Sequence, residues 1–224
     1  MLNTFLVCAL ACFALTAQDA PLIDFPHPLV TEILYAVPKD ASDDSLGDAS
    51  GDGSRDATGD EFIELINPHD EPIDLAGYVL TDAHPKDKNR FEFVFPELTL
   101  EPGQAVVVFN GKDQSFGTST GSADDAGRPQ TEFNDAYVLS ADNDNRFIGL
   151  ANKGDGVALW APDGSPICYV WWGSSSAQPP KGCPIVEEAP STAKGSIVLN
   201  HKGQWKTHAK SGGVRYSPGV HPTP

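Results

Sequence analysis

The run Glu61-Phe-Ile-Glu-Leu-Ile-Asn-Pro68 decides the fold class of this chain. Ile63 and Leu65 alternate with Glu64, and this period of two places apolar side chains on one face of a β-strand and polar ones on the other. The run stops at Pro68 because proline lacks the N–H that would continue a ladder of hydrogen bonds. We therefore predict a β-strand with Ile63 and Leu65 on one face and Glu64 on the opposite face.

Similar short runs recur along the chain, each rich in β-branched or aromatic residues and bounded by Gly, Pro, Asn or Asp. They predict strands at residues 29–37, 74–82, 90–95, 104–110, 156–161 and 166–172. Pro162-Asp-Gly-Ser165 joins the last two as a hairpin turn. No segment has a convincing helical period. The sequence thus predicts an all-β antiparallel sandwich over residues 28–172, with polar surface loops at 38–60 and 111–135.

An aspartate- and glycine-rich stretch, residues 40–60, leads directly into the Glu61 strand. Carboxylates this close repel one another unless a cation lies among them, and carboxylate oxygens are the ligands that calcium prefers. Asp48-Ala-Ser-Gly-Asp-Gly-Ser-Arg-Asp56 has oxygen side chains at the first, third, fifth and ninth positions and glycine at the sixth, as an EF-hand loop does. Its twelfth position is Gly59 in place of the usual Glu, with Asp60 following. The predicted calcium ligands are Asp48, Ser50, Asp52, Ser54 through its carbonyl, Asp56 and Asp60, and a solvated acidic spacer is the alternative.

The N-terminal residues predict export. An apolar stretch from Phe5 to Leu15 is too short to span a bilayer and is followed by the small residues Thr16 and Ala17, so residues 1–17 fit a secretory signal peptide. Lipidation at Cys12 and a buried N-terminal helix are the alternatives. A secreted protein, soluble outside the cell or in its envelope, is the prediction that follows.

Two cysteines remain after removal of that peptide, Cys168 and Cys183. An even pair in an exported chain is typical of a disulfide, and this one would close a short loop. We predict that it tethers residues 173–224 as a C-terminal extension that packs on the sandwich or completes it.

The net charge limits the kinds of partner. A formal charge of -16 and a pI near 4.5 disfavour nucleic acid and anionic membrane surfaces, since both need a positive patch. Such acidity is typical of soluble proteins that associate with cations.

Several runs occur in an order that is itself informative. They are Val30-Thr-Glu-Ile33, Glu61–Pro68, Ile73-Asp-Leu-Ala-Gly-Tyr-Val-Leu-Thr-Asp82, Leu100-Glu-Pro-Gly103, Asn152-Lys-Gly-Asp-Gly-Val-Ala-Leu-Trp160 and Arg215-Tyr-Ser-Pro-Gly-Val-His221. Together they resemble the lamin tail domain in its exported bacterial form. The resemblance implies an immunoglobulin-like β-sandwich that serves as an extracellular module and has no catalytic set. Its motif residues are structural, among them Gly77 at a turn and Pro102-Gly103 before a strand, whereas the long acidic spacer departs from the pattern.

Enzymatic constellations are sparse in the sequence. The six histidines are scattered, and Ser174 to Ser176 lack the glycine-framed turn of a hydrolase nucleophile. We therefore predict no catalytic residues. The prediction is a non-catalytic, calcium-stabilised binding or structural module whose partner is an unidentified extracellular protein or polysaccharide.

Trp171 and Trp172 are the aromatic pair of interest. Neighbours on a strand point to opposite faces, so one can fill the core while the other stacks on a sugar or a partner protein. An outer tryptophan covered by the tail is the alternative. A carbohydrate-binding module and a small secreted hydrolase remain the alternative functions.

Overall fold

A computed structural model describes residues 22–39, 44–82, 91–112, 129–143, 149–192, 194–211 and 214–221. These residues form strands β1 (Leu29–Ala36), β2 (Phe62–Ile66), β3 (Ile73–Asp74), β4 (Val79–Asp82), β5 (Glu92–Val94), β6 (Thr99–Leu100), β7 (Ala105–Phe109), β8 (Pro129–Gln130), β9 (Ala136–Ser140), β10 (Gly154–Trp160), β11 (Pro166–Gly173), β12 (Ile185–Ala189), β13 (Gly195–Leu199) and β14 (Trp205–Thr207). Short 3-10 helices cover Asp44–Gly47 and Thr131–Phe133, and helix α1 covers His208–Ser211. In this part of the chain, no helix is long and apolar enough to cross a membrane. The predicted signal peptide, residues 1–17, lies outside the described residues.

Two sheets build the sandwich. The larger sheet has the order β14-β13-β1-β2-β7-β9-β8, the smaller β12-β11-β10-β4-β5, and β3 and β6 form a separate two-stranded ribbon. The predicted all-β, immunoglobulin-like sandwich is therefore confirmed. The strictly antiparallel arrangement was wrong in two places, because β7 pairs with β9 and β11 with β12 in parallel. Both parallel pairs follow long connections, which can carry the chain back to the end of the sheet where it started.

The main core lies between the two sheets. Ile33, Ile63 and Leu65 are at most 1 % exposed in it, as the alternation around Glu64 predicts. On the opposite sheet, Trp172 of β11 reaches the same core. Burial of these apolar surfaces supplies most of the stabilisation, at about 25 cal/mol per Å² removed from water.

A second apolar cluster covers the outer face of the larger sheet. Its buried members are Leu34, Val37, Ala49, Phe62, Ala105, Val107, Phe109, Phe133, Ala136 and Val138, and Tyr216 packs against them. We call this set the outer cluster. The loop predicted at 38–60 is thus more than a surface loop, since Ala49 and Asp60 are buried. Glu64 lies on the face opposite Ile63, as predicted, but that face is covered as well and Glu64 is fully buried.

The C-terminal residues supply strands to both sheets. β13 lies between β14 and β1, with Ile197 opposite Ile33, and β12 pairs with β11, with Ile185 opposite Cys168. No strand was predicted in this region. The run Ile197-Val-Leu199, between Gly195 and Asn200, nevertheless carries a recognisable strand signal.

Candidate functional site

The acidic loop, residues 44–60, is wound around the side chain of Asp48. Oδ1 of Asp48 accepts hydrogen bonds from the backbone N–H of Gly51 at 2.8 Å and of Asp52 at 3.1 Å, and Oδ2 accepts one from Gly53 at 2.9 Å. Gly51 and Gly53 have φ of 73° and 90°, a region that glycine enters without steric cost. The two glycines therefore allow the tight wrapping that the sequence predicted for this segment.

The far end of the loop is tied back to its beginning by Asp60. This carboxylate is fully buried and accepts hydrogen bonds from the backbone N–H of Ser50 at 2.9 Å and of Asp56 at 2.7 Å. Burial raises the pKa of Asp60, and the charge of Asp48 raises it further, whereas the hydrogen bonds from Ser50 and Asp56 lower it. The loop thus holds a carboxylate whose ionised form has little water to solvate it.

The remaining predicted ligands make local contacts. Asp52 accepts a hydrogen bond from the N–H of Ser54 at 2.8 Å, and Asp56 accepts bonds from Thr58 at 2.8 Å and Gly59 at 2.7 Å. In the described part of the chain, no three His, Cys, Asp or Glu residues converge as a group that could hold a metal ion. The predicted calcium ligands therefore lie on one loop, with Asp48 and Asp60 close enough to interact electrostatically, and the metal itself stays a prediction.

The loop carries one basic residue, Arg55. Its guanidinium donates hydrogen bonds to the carbonyls of Val37 and Pro38, on the chain segment that leads from β1 toward the loop. Arg55 therefore anchors the base of the loop to the sandwich.

Beside the acidic loop, a buried polar network joins the larger sheet to the C-terminal residues 214–221, which we call the strap. Oε1 of Glu32 lies 2.7 Å from the hydroxyl of Ser196 and 3.0 Å from Nδ1 of His208, and it accepts the backbone N–H of Ser217 at 3.0 Å. Ser196 and His208 are almost fully buried. This network was not predicted, because nothing in the sequence of a single strand shows which polar face will be covered.

Glu64 makes the second attachment of the strap. Oε2 of Glu64 accepts the N–H of Gly219 at 2.8 Å, and Oε1 accepts the hydroxyl of Thr31 at 2.7 Å. Glu32 and Glu64 lie directly opposite each other on β1 and β2. Burial raises the pKa of Glu64 to about 8, and the neighbouring charge of Glu32 adds to the rise. Burial beside Glu32 therefore favours the neutral form of Glu64.

The same network contains a Ser–His–Glu series. The hydroxyl of Ser217 lies 3.3 Å from Nε2 of His208, whose Nδ1 faces Glu32. A hydrolase uses such a series to activate the serine. Here, however, the Ser217 hydroxyl also lies 3.1 Å from both Oε2 of Glu32 and the carbonyl of Val220, so it is engaged in holding the strap. This geometry favours a structural role.

The tryptophan pair divides as the strand alternation predicts. Trp172 is fully buried, stacks on Tyr35 and donates from Nε1 to the carbonyl of Ala151 at 3.1 Å. Trp171 is half-buried on the outer face of the smaller sheet. It packs with Ala177 and Cys183 against a small cluster formed by Ala158 and Tyr169. Of the two, only Trp171 is placed to contact a partner.

A shallow cleft of about 320 Å³ opens on the outer face of the smaller sheet, beside Trp160. Nε1 of Trp160 donates to the hydroxyl of Thr81 at 2.9 Å, which fixes the indole, and Glu92, Val79 and Pro162 also line the cleft. Trp160 lies in a predicted strand, but its position at the surface was not predicted.

The two cysteines are free thiols in the structure, which therefore does not contain the predicted bridge. Cys168 points into the main core, whereas Cys183 packs against the small cluster that Ala158 and Tyr169 form on the outer face of the smaller sheet. Burial raises the pKa of Cys168 to about 12, and the nearby Cys183 adds to the rise. Because β12 begins two residues after Cys183 and pairs Ile185 with Cys168, the residues are near each other along the sheet. The disulfide stays a prediction.

A family model, the Lamin Tail Domain, matches residues 43–174, more than half of the chain. The chain belongs to the lamin tail domain family. No curated protein matches it. The family match includes the whole acidic loop, residues 44–60, and ends just after β11. β1 and the strands β12 to β14 lie outside the match, although β1 and β13 are central strands of the larger sheet of this lamin tail domain.

Ser174 to Ser176, which lack a nucleophile turn in the sequence, make no catalytic arrangement among the described residues. Ser174 and Ser176 are exposed, and the hydroxyl of Ser175 accepts the N–H of Ala177 at 3.2 Å in a local turn. The lamin tail domain is an immunoglobulin-like, non-enzymatic domain family, and the absence of catalysis in this chain stays a prediction.

Proposed function

We propose that this lamin tail domain is an exported, non-catalytic binding or structural module whose acidic loop is stabilised by calcium. The observation that carries the proposal is the closed loop from Asp48 to Asp60. Its two end carboxylates are fixed by backbone hydrogen bonds, and the charge of Asp48 makes ionisation of the buried Asp60 more costly. A divalent cation close to them would remove that cost.

The donor chemistry fits a hard cation. Asp48, Asp52, Asp56 and Asp60 offer carboxylate oxygens, while Ser50 and Ser54 add a hydroxyl and a carbonyl. The positive charge of Arg55 is directed to carbonyls at the base of the loop. Calcium bound among these oxygens would supply charge neutralisation and cross-link the loop. The residues of this chain would supply the wrapping.

Thermal unfolding tests calcium stabilisation. An ion that binds only the folded protein stabilises it by about 2.7 kcal/mol at one hundred times its dissociation constant, and extracellular calcium modules bind at about 0.1 to 1 mM. We expect millimolar calcium to raise the Tm above its value in magnesium or EDTA at equal ionic strength.

Charge-removing variants make this test specific to the loop. Asp52→Asn combined with Asp56→Asn keeps an oxygen acceptor for each backbone hydrogen bond but removes two charges, and it should abolish the calcium effect. Asp70→Ala, which removes an exposed carboxylate outside the loop, is the matched control and should keep the effect. Coincident melting curves of the unmodified protein in calcium, magnesium and EDTA would refute calcium stabilisation.

Carbohydrate binding is the second candidate function, and the cleft beside Trp160 favours it. A fixed indole bordered by a hydroxyl and a carboxylate is a surface on which a sugar ring can stack and form hydrogen bonds. A glycan array with the unmodified protein and with Trp160→Ala tests this candidate. Binding that disappears in Trp160→Ala but persists in Trp171→Ala would support it, whereas an array without hits would exclude the sugars that it presents.

A further inference from the structure

We propose that the C-terminal strap is a pH-responsive cover of the outer cluster, held closed by the carboxyl pair Glu32 and Glu64 and released when both carry a charge. The proposal does not depend on calcium or on a particular partner. It rests on the hydrogen bonds of the strap, on the burial of the two carboxyl groups and on what the strap covers.

The strap is fastened mainly through its backbone. Ser217 N–H and Gly219 N–H donate to Glu32 and Glu64, at 3.0 and 2.8 Å. A third attachment joins the backbone N–H of Ser196 in β13 to the carbonyl of Arg215 at 2.9 Å. Two of these three backbone attachments therefore end on the carboxyl pair. The protonation state of the pair thus determines how firmly the strap is held.

The strap covers apolar surface. Tyr216 packs against the outer cluster, and its hydroxyl donates to the carbonyl of Leu46 in the acidic loop at 3.1 Å. Gly219 lies so close to Phe133 that a Cβ there would stand 2.0 Å from the Phe133 carbonyl oxygen. Release of the strap would expose part of the outer cluster and free the acidic loop from one of its contacts.

The two carboxyl groups have different protonation requirements. Glu32 is surrounded by the hydroxyl of Ser196, Nδ1 of His208, and the N–H and hydroxyl of Ser217, polar groups that can stabilise a buried charge. Glu64 is fully buried directly opposite, and only its neutral form avoids two adjacent buried negative charges. The closed strap is therefore compatible with one negative charge on the pair of carboxyl groups but not with two.

Other titratable or charged groups face the pair from the neighbouring elements. Among the described residues they are His208 from α1, which lies 3.0 Å from Glu32, and His221 from the strap, which interacts electrostatically with Glu32. The residues opposite the pair on the adjacent strands, Val198 and Val107, carry no charge. Burial lowers the pKa of His221, so its change of charge falls on the acid side of neutrality. A transition on the alkaline side therefore belongs to the carboxyl pair.

The direction of the pH effect follows from linkage. The pKa of Glu64 is raised from 4.5 to about 8 in the closed state, so the closed state holds a proton that the released state loses. The stabilisation of closure that Glu64 contributes is therefore complete below pH 4.5, weakens as pH rises above that value, and is lost once pH passes about 8. The strap is a cover that opens toward alkaline pH.

Trypsin cleavage after Arg215, identified by intact mass, measures release of the strap. At each pH, the cleavage rate of the protein is divided by the cleavage rate of an unstructured peptide with the sequence of residues 210–221. We call this quotient the cleavage ratio. Linkage predicts that this ratio rises by at least about tenfold between pH 6 and pH 9. Near-UV circular dichroism of the buried tryptophans, recorded on the same samples, should stay unchanged.

Two variants separate the roles of the carboxyl groups. Glu64→Gln keeps an acceptor for Gly219 and cannot ionise, so its cleavage ratio should stay low and flat from pH 6 to 9. Glu32→Gln places an amide N–H₂ group, itself a donor, among the four polar groups that contact Glu32. It should therefore weaken the hold on the strap and raise the cleavage ratio at every pH. A flat ratio in the unmodified protein, an equal rise in Glu64→Gln, or loss of the near-UV signal in step with cleavage would each overturn the proposal.

Discussion

Tyr35 and Trp172 stack face to face across the sandwich, with ring centroids 4.2 Å apart and an interplanar angle of 6°. Tyr35 lies on β1, before the family match begins, and Trp172 lies near the end of that match. The pair therefore joins the two sheets through residues that are 137 positions apart in sequence. The hydroxyl of Tyr35 accepts a hydrogen bond from the N–H of Thr192 at 2.7 Å.

The first prediction concerns this stack. Trp172→Ala should lower the free energy of unfolding by about 3 to 5 kcal/mol, because it removes a fully buried aromatic side chain and leaves a cavity. Trp171→Ala is the matched control and should cost less, because Trp171 is half-buried on the outer face. Chemical denaturation measures both, and equal losses would contradict the assignment of the two residues to opposite faces.

The second prediction concerns the C-terminal strands. A chain that ends at residue 174, where the family match ends, should not unfold cooperatively, because it lacks β13 and leaves the edge of β1 unpaired. A chain that ends at His221 is the control and should melt like the full protein. Thermal melting followed by circular dichroism distinguishes them, and a cooperative transition in the shorter chain would show that residues 28–174 are sufficient for folding.

The third prediction concerns Gly219. This residue and Gly182 have nearly the same φ, 81° and 82°, but a Cβ at Gly182 would meet nothing within 4 Å. Gly182→Ala should therefore lower the free energy of unfolding by about 1 kcal/mol, through backbone strain alone. Gly219→Ala should lower it further, because the added Cβ also collides with the carbonyl oxygen of Phe133. Denaturant titrations give both values. If the two losses are the same, the strap does not lie as close to Phe133 as described.

The fourth prediction concerns the cysteines. In exported, non-reduced protein we expect Cys168 linked to Cys183, so denatured samples should contain no alkylatable thiol. The same chain without residues 1–17, which carry Cys8 and Cys12, should contain two thiols when it is produced under reducing conditions. Both should react slowly while folded, because burial raises the pKa of each thiol. Intact mass after alkylation counts them. Two alkylated thiols in the exported sample would exclude the bridge.

Residue alternation alone was enough to predict much of the sandwich. Strands around Ile33, Ile63, Val107 and Leu159 were predicted because β-branched and aromatic runs between turn residues have few other stable conformations. The ordered motifs likewise indicated the lamin tail family. The separation of Trp171 from Trp172 also follows from alternation.

Other features depended on contacts between distant segments. Alternation shows that Glu64 and Ile63 point to opposite faces, but it does not show that both faces are covered, which here depends on the acidic loop and the strap. For the same reason, the pairing of Glu32 with Glu64 as buried neighbours could not be read from either strand alone.

The sequence by itself determined the class of structure, the turns and the wrapping of the acidic loop, because these depend on residues that are near one another in the chain. Only the tertiary structure decided that β13 lies beside β1, that Glu64 is buried and that Ser217 and Gly219 are held by the carboxyl pair. These features arise from partners far apart in sequence, whose burial and hydrogen bonding are set when the two sheets and their covering segments come together.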